Sequence, residues 1–145
     1  MTEIAFHFNV SDKLTYGCRL LRKACLSGAK VVVTAEPSVL TELDTLLWSF
    51  SSTEFVPHCT LGAPPITLGT SPIVLTESLA DCQHHEVLVN LGQTIPAGFE
   101  GFQRCIEVVA LPPDEVIAGR RRWKHYAARG YSMIKHDLSG RGSSP

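Results

Sequence analysis

The feature that most constrains the fold is the stretch Lys30–Ala35 (KVVVTA), which contains an uninterrupted run of four β-branched residues. An apolar run without alternation is typical of a parallel strand that is covered on both faces. Before it, Glu3–Asn9 alternates apolar and polar residues and predicts a first strand, and Asp12–Ser27 has the spacing of an amphipathic helix. Glu36–Trp48 predicts a second helix. The β-α-β-α order predicts a Rossmann-like three-layer α/β/α sandwich with a mostly parallel sheet.

The rest of the chain continues this organisation. Short apolar runs predict further strands over Pro72–Thr76, Glu86–Asn90 and Arg104–Ala110. A chain of 145 residues is long enough for one domain with a substantial core. We therefore predict a single domain over residues 1–138, followed by a disordered tail over residues 139–145.

Motifs for catalysis, cofactors and metals are missing from the sequence. The turn after the first strand, Val10–Lys13, lacks the glycines of a dinucleotide-binding loop, and no phosphate-binding loop follows elsewhere. No G-x-S-x-G nucleophile motif occurs, and Cys82–His85 does not have a recognised metal-ligand spacing. We therefore expect no catalytic residues, no cofactor and no metal.

Localisation is predicted from what the sequence lacks. The start, MTEIAFHFN, does not resemble a signal peptide, and no apolar stretch reaches the roughly 18 residues of a membrane span. The five cysteines are an odd number without a disulfide framework, which suits free thiols. These features favour a cytoplasmic protein that does not bind membranes.

The most distinctive stretch is Pro112–Tyr131, which predicts the last helix. Pro113 suits a first helical position, and Gly130 is a plausible stop. At about 100° per residue, one arc of this helix mixes cations with aromatic rings. The members of that arc are Val116, Arg120, Trp123, Lys124, Ala127 and Tyr131, whereas Arg121, Arg122, His125 and Arg129 lie around the opposite side.

Two interpretations of this helix are open. The net charge is −1, yet seven of the thirteen Lys and Arg residues lie between Arg120 and Arg141. The arc can be a docking site for a ligand that is both anionic and apolar, in which Arg120 and Lys124 meet carboxylates or phosphates and Trp123 supplies an apolar wall. It can also be a surface helix whose Trp and Val pack inward while the arginines are solvated, as is usual for charge runs.

A second candidate surface precedes the middle loop. The stretch Leu46–Cys59 concentrates Trp48, Phe50, Phe55 and Val56 before the Pro57 turn. Such a cluster can be an exposed interface patch or a loop that caps the core.

Three blocks together resemble the chi subunit of bacterial DNA polymerase III. The first is the strand-helix-strand start with Lys30–Val33, and the second is Leu46–Trp48 followed by Glu54–His58. The third is the last helix, with Arg120, Trp123, Lys124, Tyr126, Gly130 and Tyr131. The similarity extends to about Leu138.

The resemblance implies a non-catalytic adaptor of the replicative polymerase. Chi subunits bind the psi subunit, which links them to the clamp loader, and they bind the acidic carboxy-terminal tail of single-stranded DNA-binding protein (SSB). By resemblance, Arg120 and Lys124 would receive carboxylates of the tail, and Trp123 with Val116 and Tyr131 would line an apolar pocket. Contact with DNA would be indirect.

The same resemblance implies a psi-binding surface elsewhere on the chain. Its residues would be Trp48, Phe55, Val56 and Pro57. In some family members this surface can serve a helicase partner.

The sequence departs from the family at the tail site. Trp123 occupies a position at which chi subunits usually have a tyrosine, and Val116 occupies one at which they usually have a lysine. Arg121 and Arg122 add charge that can compensate for Val116. The loop over residues 60–71 differs most from the family, so the resemblance assigns no role to it.

Two other function classes stay open from the sequence alone. One is direct binding of single-stranded nucleic acid through Arg120–Arg129, against which the net charge argues. The other is a small Rossmann-like enzyme of unknown substrate, against which the missing phosphate loop argues.

Overall fold

The computed structural model describes residues 2–49, 58–60, 73–79 and 85–138. The strands and helices follow one another in the order β1 (Glu3–Val10), α1 (Lys13–Leu26), β2 (Val31–Thr34), α2 (Pro37–Ser49), β3 (His58–Thr60), β4 (Ile73–Leu75), β5 (Val87–Asn90), a 3₁₀ turn (Phe99–Gly101), β6 (Arg104–Ala110), α3 (Pro113–Ala128) and β7 (Met133–Asp137). The disordered tail predicted for residues 139–145 lies outside the described residues.

Within these residues the strands form one sheet. Its seven strands lie in the order β3-β4-β2-β5-β6-β1-β7, and every pairing is parallel. Each connection that contains a helix leads from one parallel strand to another, as the β-α-β-α pattern requires. The predicted Rossmann-like α/β architecture is confirmed.

Two apolar clusters lie on opposite faces of the sheet. One cluster packs α1 and α2 against residues such as Val31, Val33 and Val89. The other packs α3 and the 3₁₀ turn against the opposite face, around Phe6, Leu88 and Tyr126. The β-branched run at Val31–Thr34 is buried throughout because helices or loops cover both of its faces.

Two strands lie where the sequence did not predict them. His58–Thr60 is a three-residue strand at one edge of the sheet, within a stretch interpreted as a loop. Met133–Asp137 is the other edge strand, and it pairs with β1. β7 carries Lys135, His136 and Asp137 and is largely exposed, so its sequence lacks the apolar alternation of a half-buried strand.

Helix α3 connects β6 to β7 and packs on the face of the sheet that carries Phe6 and Leu88. It starts at Pro113, whose missing N–H costs nothing at the first turn. At its other end Gly130 has a φ of 77°, and the N–H of Tyr131 donates to the carbonyl of Tyr126 at 3.2 Å. This left-handed glycine stops the helix and directs the chain into β7.

None of the described helices combines the length and apolar character that crossing a membrane requires. Cys18 and Cys105 are buried free thiols. Burial raises the pKa of Cys18 to about 11, which disfavours its nucleophilic thiolate form.

Candidate functional site

The site beneath α3 begins with a row of residues that runs across the sheet. Asn90 of β5 is in register with Glu107 of β6, Glu107 with Phe6 of β1, and Phe6 with Lys135 of β7. Residues in register on parallel strands point to the same face. This row therefore provides both the support of α3 and the floor beside it.

The inner half of the row is a buried polar network around Glu107. Its Oε1 accepts hydrogen bonds from Nε of Arg122 at 2.8 Å and from Nδ2 of Asn90 at 2.9 Å. Its Oε2 accepts one from the hydroxyl of Tyr126 at 2.6 Å. Arg122 also donates through Nη1 to the carbonyl of Gln93 at 3.0 Å. Two residues of α3 are thus held to β6 by one carboxylate.

Burial and charge oppose each other in this network. Burial raises the pKa of the Glu107 carboxyl, and the Arg122 guanidinium and three hydrogen-bond donors counteract that rise. The pKa of the Tyr126 hydroxyl is also raised by burial and by the neighbouring Glu107 charge, so Tyr126 acts as a donor. The network has the chemistry of a structural anchor rather than of an acid-base site.

The outer half of the row opens into a groove of about 420 Å³ between α3 and the β1–β7 edge. The ring of Trp123 meets the ring of Phe6 edge-on, with centroids 5.1 Å apart. The Nζ of Lys135 lies 5.2 Å from the centroid of the Trp123 ring. The groove is lined by Phe6, Phe8, Asn9, Val109, Val116, Gly119, Arg120, Trp123 and Lys135.

Gly119 allows α3 to lie close to the sheet at this groove. A Cβ at Gly119 would meet the two γ-carbons of Val109 at 2.8 and 2.9 Å, which is closer than side chains pack. At this point only the side chain of Val109 lies between the helix and β6, because Gly119 contributes none.

Three of the five predicted tail-site residues line the groove: Val116, Arg120 and Trp123. The other two do not. Lys124 is exposed on α3. Tyr131 contacts Phe99 and Tyr126, with ring centroids 5.4 and 6.0 Å apart. The groove is basic at Arg120 and Lys135 and apolar between them, which suits a ligand with both carboxylates and apolar side chains.

The expectation that Arg122 lies on the solvated side of the helix is wrong. Its side chain is 2% exposed and is held by Glu107. Helical periodicity places Arg122 outside the arc that contains Trp123, but it cannot show that the neighbouring strand carries a buried carboxylate. Arg122 therefore does not supply the compensating charge that the sequence suggested.

The profile of one protein family matches residues 1–134 of this chain; the family is described as DNA polymerase III chi subunit, HolC. The chain belongs to this family. Its members are accessory subunits of DNA polymerase III by name, and membership places this chi-family chain in DNA replication.

Two relatives carry the same name. The DNA polymerase III subunit chi of Pseudomonas aeruginosa is 29% identical over 155 aligned positions, which cover 95% of this chain and 98% of the relative. The subunit chi of Haemophilus influenzae is 30% identical over 124 positions, which cover 83% of this chain and 84% of the relative. The resemblance to chi subunits that the sequence suggested is confirmed.

The psi-binding residues expected in this chi-family chain cannot be placed in the same way. Trp48 belongs to α2, but its side chain is outside the described part of the structure. Phe55, Val56 and Pro57 also lie outside the described residues. That surface stays a prediction from resemblance.

Several residues at the groove of this chi-family chain were not predicted as site residues. Lys135 was missed because the strand that carries it was missed, and Phe6 and Phe8 were interpreted only as residues of an alternating strand. Glu107 had a signal, because it is the only carboxylate in the strand RCIEVVA. Within the described ranges, no group of three or more His, Cys, Asp or Glu residues could hold a metal ion.

Proposed function

We propose that this chi-family chain is a non-catalytic adaptor that binds the acidic carboxy-terminal tail of SSB on α3 and a psi subunit on a separate surface. A subunit of DNA polymerase III has partners within that complex, and the proposal assigns two surfaces to two partners. The observation that carries the first assignment is the convergence of Arg120, Trp123 and Val116 on one groove.

The chemistry of the groove supports a ligand that is acidic and ends in an apolar residue. The guanidinium of Arg120 is exposed and can form paired hydrogen bonds with a carboxylate. Trp123 is partly buried, with one edge against Phe6, and offers a fixed ring surface. Such a site should bind a short acidic peptide with a Kd on the order of micromolar.

Lys124 and Tyr131 have different parts in the proposal. Lys124 follows Trp123 on α3 and can attract the acidic stretch of a peptide that extends beyond the groove. Tyr131 packs on Phe99 and Tyr126, so it supports the aromatic cluster against which Trp123 also rests.

The second surface is proposed from the resemblance alone. We assign psi binding to Trp48, Phe55, Val56 and Pro57, and the same patch can serve a helicase partner. The assignment predicts that changes on α3 leave psi binding intact, because the two partners use different residues.

The first test is fluorescence anisotropy with a labelled peptide that carries consecutive aspartates and ends in a free Phe carboxylate. We expect micromolar binding that weakens as salt rises, because exposed charges are screened beyond roughly 8 Å at physiological ionic strength. A peptide without the terminal Phe should not bind. Absence of binding at low salt would contradict the proposal.

Two variants then test whether the peptide binds in the groove. Arg120→Ala and Trp123→Ala should weaken tail binding and leave capture of a psi subunit unchanged. Unchanged tail affinity in both variants would contradict the assignment of the groove. Labelled single-stranded DNA without SSB is the third arm, because tight binding to DNA alone would favour the nucleic-acid-binding alternative.

A further inference from the structure

We infer that Lys135, on the edge strand β7, is a second cation of the tail-binding groove and faces Arg120 across Trp123. The inference rests on the proposed function of that groove and adds a residue from outside α3. It also gives the groove a preference for a ligand with two carboxylates on either side of an apolar side chain.

The position of Lys135 is determined by the sheet rather than by the helix. Lys135 is in register with Phe6 on β1, and Phe6 lies under the ring of Trp123. The Nζ of Lys135 therefore lies over the Trp123 ring, 5.2 Å from its centroid. Arg120 lies one turn earlier on α3 and lines the same groove. Two walls, one from α3 and one from β7, thus carry one cation each.

The contact with Trp123 holds the ammonium group in place without neutralising it. A cation over an aromatic face keeps its charge and its hydrogen-bond donors. The carboxylate that follows on β7, Asp137, accepts a hydrogen bond from Nδ2 of Asn9 at 2.8 Å. Lys135 is exposed and can meet a carboxylate that enters the groove.

The compensating positive charge at the groove comes from Lys135 rather than from Arg122, to which the sequence assigned it. Arg122 is buried with Glu107 and cannot reach a peptide in the groove. Val116 brings no charge to the groove wall. The additional cation that faces the groove is Lys135, which comes from a strand that follows the helix.

The test is a comparison of single variants by anisotropy with the same labelled acidic peptide ending in Phe. Lys135→Gln keeps most of the side-chain stem and removes the charge, and it should weaken binding about fivefold and reduce the salt dependence, as expected for one charge-assisted contact at an exposed site. Lys135→Arg should bind within about twofold of wild type, since it keeps the cation. The matched control is Arg121→Gln, which removes an equal exposed charge from α3 outside the groove and should change affinity less than twofold, because distant exposed charges are screened.

A double-mutant cycle locates the contact on the peptide. Single Asp→Asn changes in the peptide and amidation of its terminal Phe carboxylate are each measured against Lys135→Gln and against Arg120→Ala. One carboxylate of the peptide should couple to Lys135 and a different one to Arg120, because groups in contact give non-additive effects. Loss of all coupling to Lys135 would contradict the inference.

The outcomes separate this inference from the proposed function. If wild type binds, Arg120→Ala weakens binding and Lys135→Gln behaves like Arg121→Gln, then the inference is wrong and the tail site stands. If wild type does not bind the peptide at low salt, both are wrong. Far-UV circular dichroism of Lys135→Gln should match wild type, since Lys135 is exposed on an edge strand.

Discussion

The Nε of Arg122 lies 2.8 Å from Oε1 of Glu107, and both side chains are almost fully buried. The next residue on α3, Trp123, turns towards Phe6 on the neighbouring strand. Consecutive helical residues point about 100° apart, so fixing Arg122 on β6 also fixes the direction of Trp123. We conclude that the ion pair sets the rotation of α3 and thereby the shape of the groove.

The first prediction concerns this ion pair. Arg122→Met should lower the free energy of unfolding by about 3 kcal/mol, because removal of one partner leaves Glu107 as an uncompensated buried charge. Urea denaturation followed by circular dichroism measures the loss. Arg121→Met is the matched control, because Arg121 is exposed on the same helix; its change should be within about 0.5 kcal/mol. A loss below about 1 kcal/mol for Arg122→Met would contradict the anchoring role.

The second prediction concerns the contact between α1 and α3. The Nζ of Lys13 lies 2.8 Å from Oε1 of Glu115, and Gln93 donates to Oε2 at 2.7 Å. Burial alone would raise the pKa of Glu115, but the bonds from Lys13 and Gln93 outweigh it and lower this pKa. We expect Glu115→Gln to cost about 0.5 to 1 kcal/mol at pH 7.

The pH dependence of that cost checks its electrostatic origin. A carboxylate with a lowered pKa contributes stability that is present above its unfolded pKa and is lost as the pH falls through the folded value. The difference between wild type and Glu115→Gln should therefore shrink below about pH 4.5 in parallel urea titrations. A difference that stays constant with pH would indicate packing rather than charge.

The third prediction concerns His7 on the α1 face of the sheet. Burial, together with the positive charges of His136, Arg104 and Lys23, lowers the pKa of His7 to about 4. The neutral ring shares a hydrogen bond between Nδ1 and the hydroxyl of Tyr16. Below the ordinary value of 6.5, unfolded chains bind a proton that the folded protein does not. Stability should therefore fall as the pH falls from 6.5 towards 4, by about 1 to 2 kcal/mol from this group.

The test for His7 is the slope of stability against pH between 6.5 and 5. We expect His7→Gln to flatten this slope, because glutamine does not titrate and can still bond Tyr16. The exposed His85→Gln is the control, because His85 is not among the residues that lower the pKa of His7, and it should change the slope far less. An equal slope for wild type and His7→Gln would show that other groups account for the acid sensitivity.

The sequence predicted those parts of the fold whose signals are local. Val31–Thr34 is apolar on both faces and forms a central strand, and the prediction of Arg104–Ala110 as a strand matches the structure. The strand β7 escaped prediction because its stability comes from pairing with β1, and an exposed edge strand needs no apolar alternation. Most side chains of β7 consequently face the groove and the solvent rather than the apolar core.

The difference between local and long-range signals also explains which residues of the site could be predicted. Val116, Arg120 and Trp123 share a helical arc, so periodicity could bring them together. The burial of Arg122 depends on Glu107, a residue of β6 that is distant in sequence and accepts its hydrogen bond. Asn90 bonds the same carboxylate because β5 and β6 are neighbours. Lys135 likewise reaches Trp123 through the register of β7 with β1. Contacts that depend on strand order are not visible in the spacing of residues along one element.

The last prediction concerns the close approach of Gly119 to Val109. Glycine in a helix interior costs about 1 kcal/mol relative to alanine, so Gly119→Ala would stabilise α3 if space allowed. The two γ-carbons of Val109 lie 2.8 and 2.9 Å from the position of the new Cβ, and a β-branched side chain has little freedom to move aside. Overpacking of this kind costs about 1 to 3 kcal/mol, so Gly119→Ala should be destabilising in the wild-type background.

In a Val109→Ala background the clash is absent, and Gly119→Ala should then stabilise the protein by up to about 1 kcal/mol. Urea denaturation of the four proteins measures this reversal of sign, and the same sign in both backgrounds would mean that Val109 does not set the distance between α3 and β6.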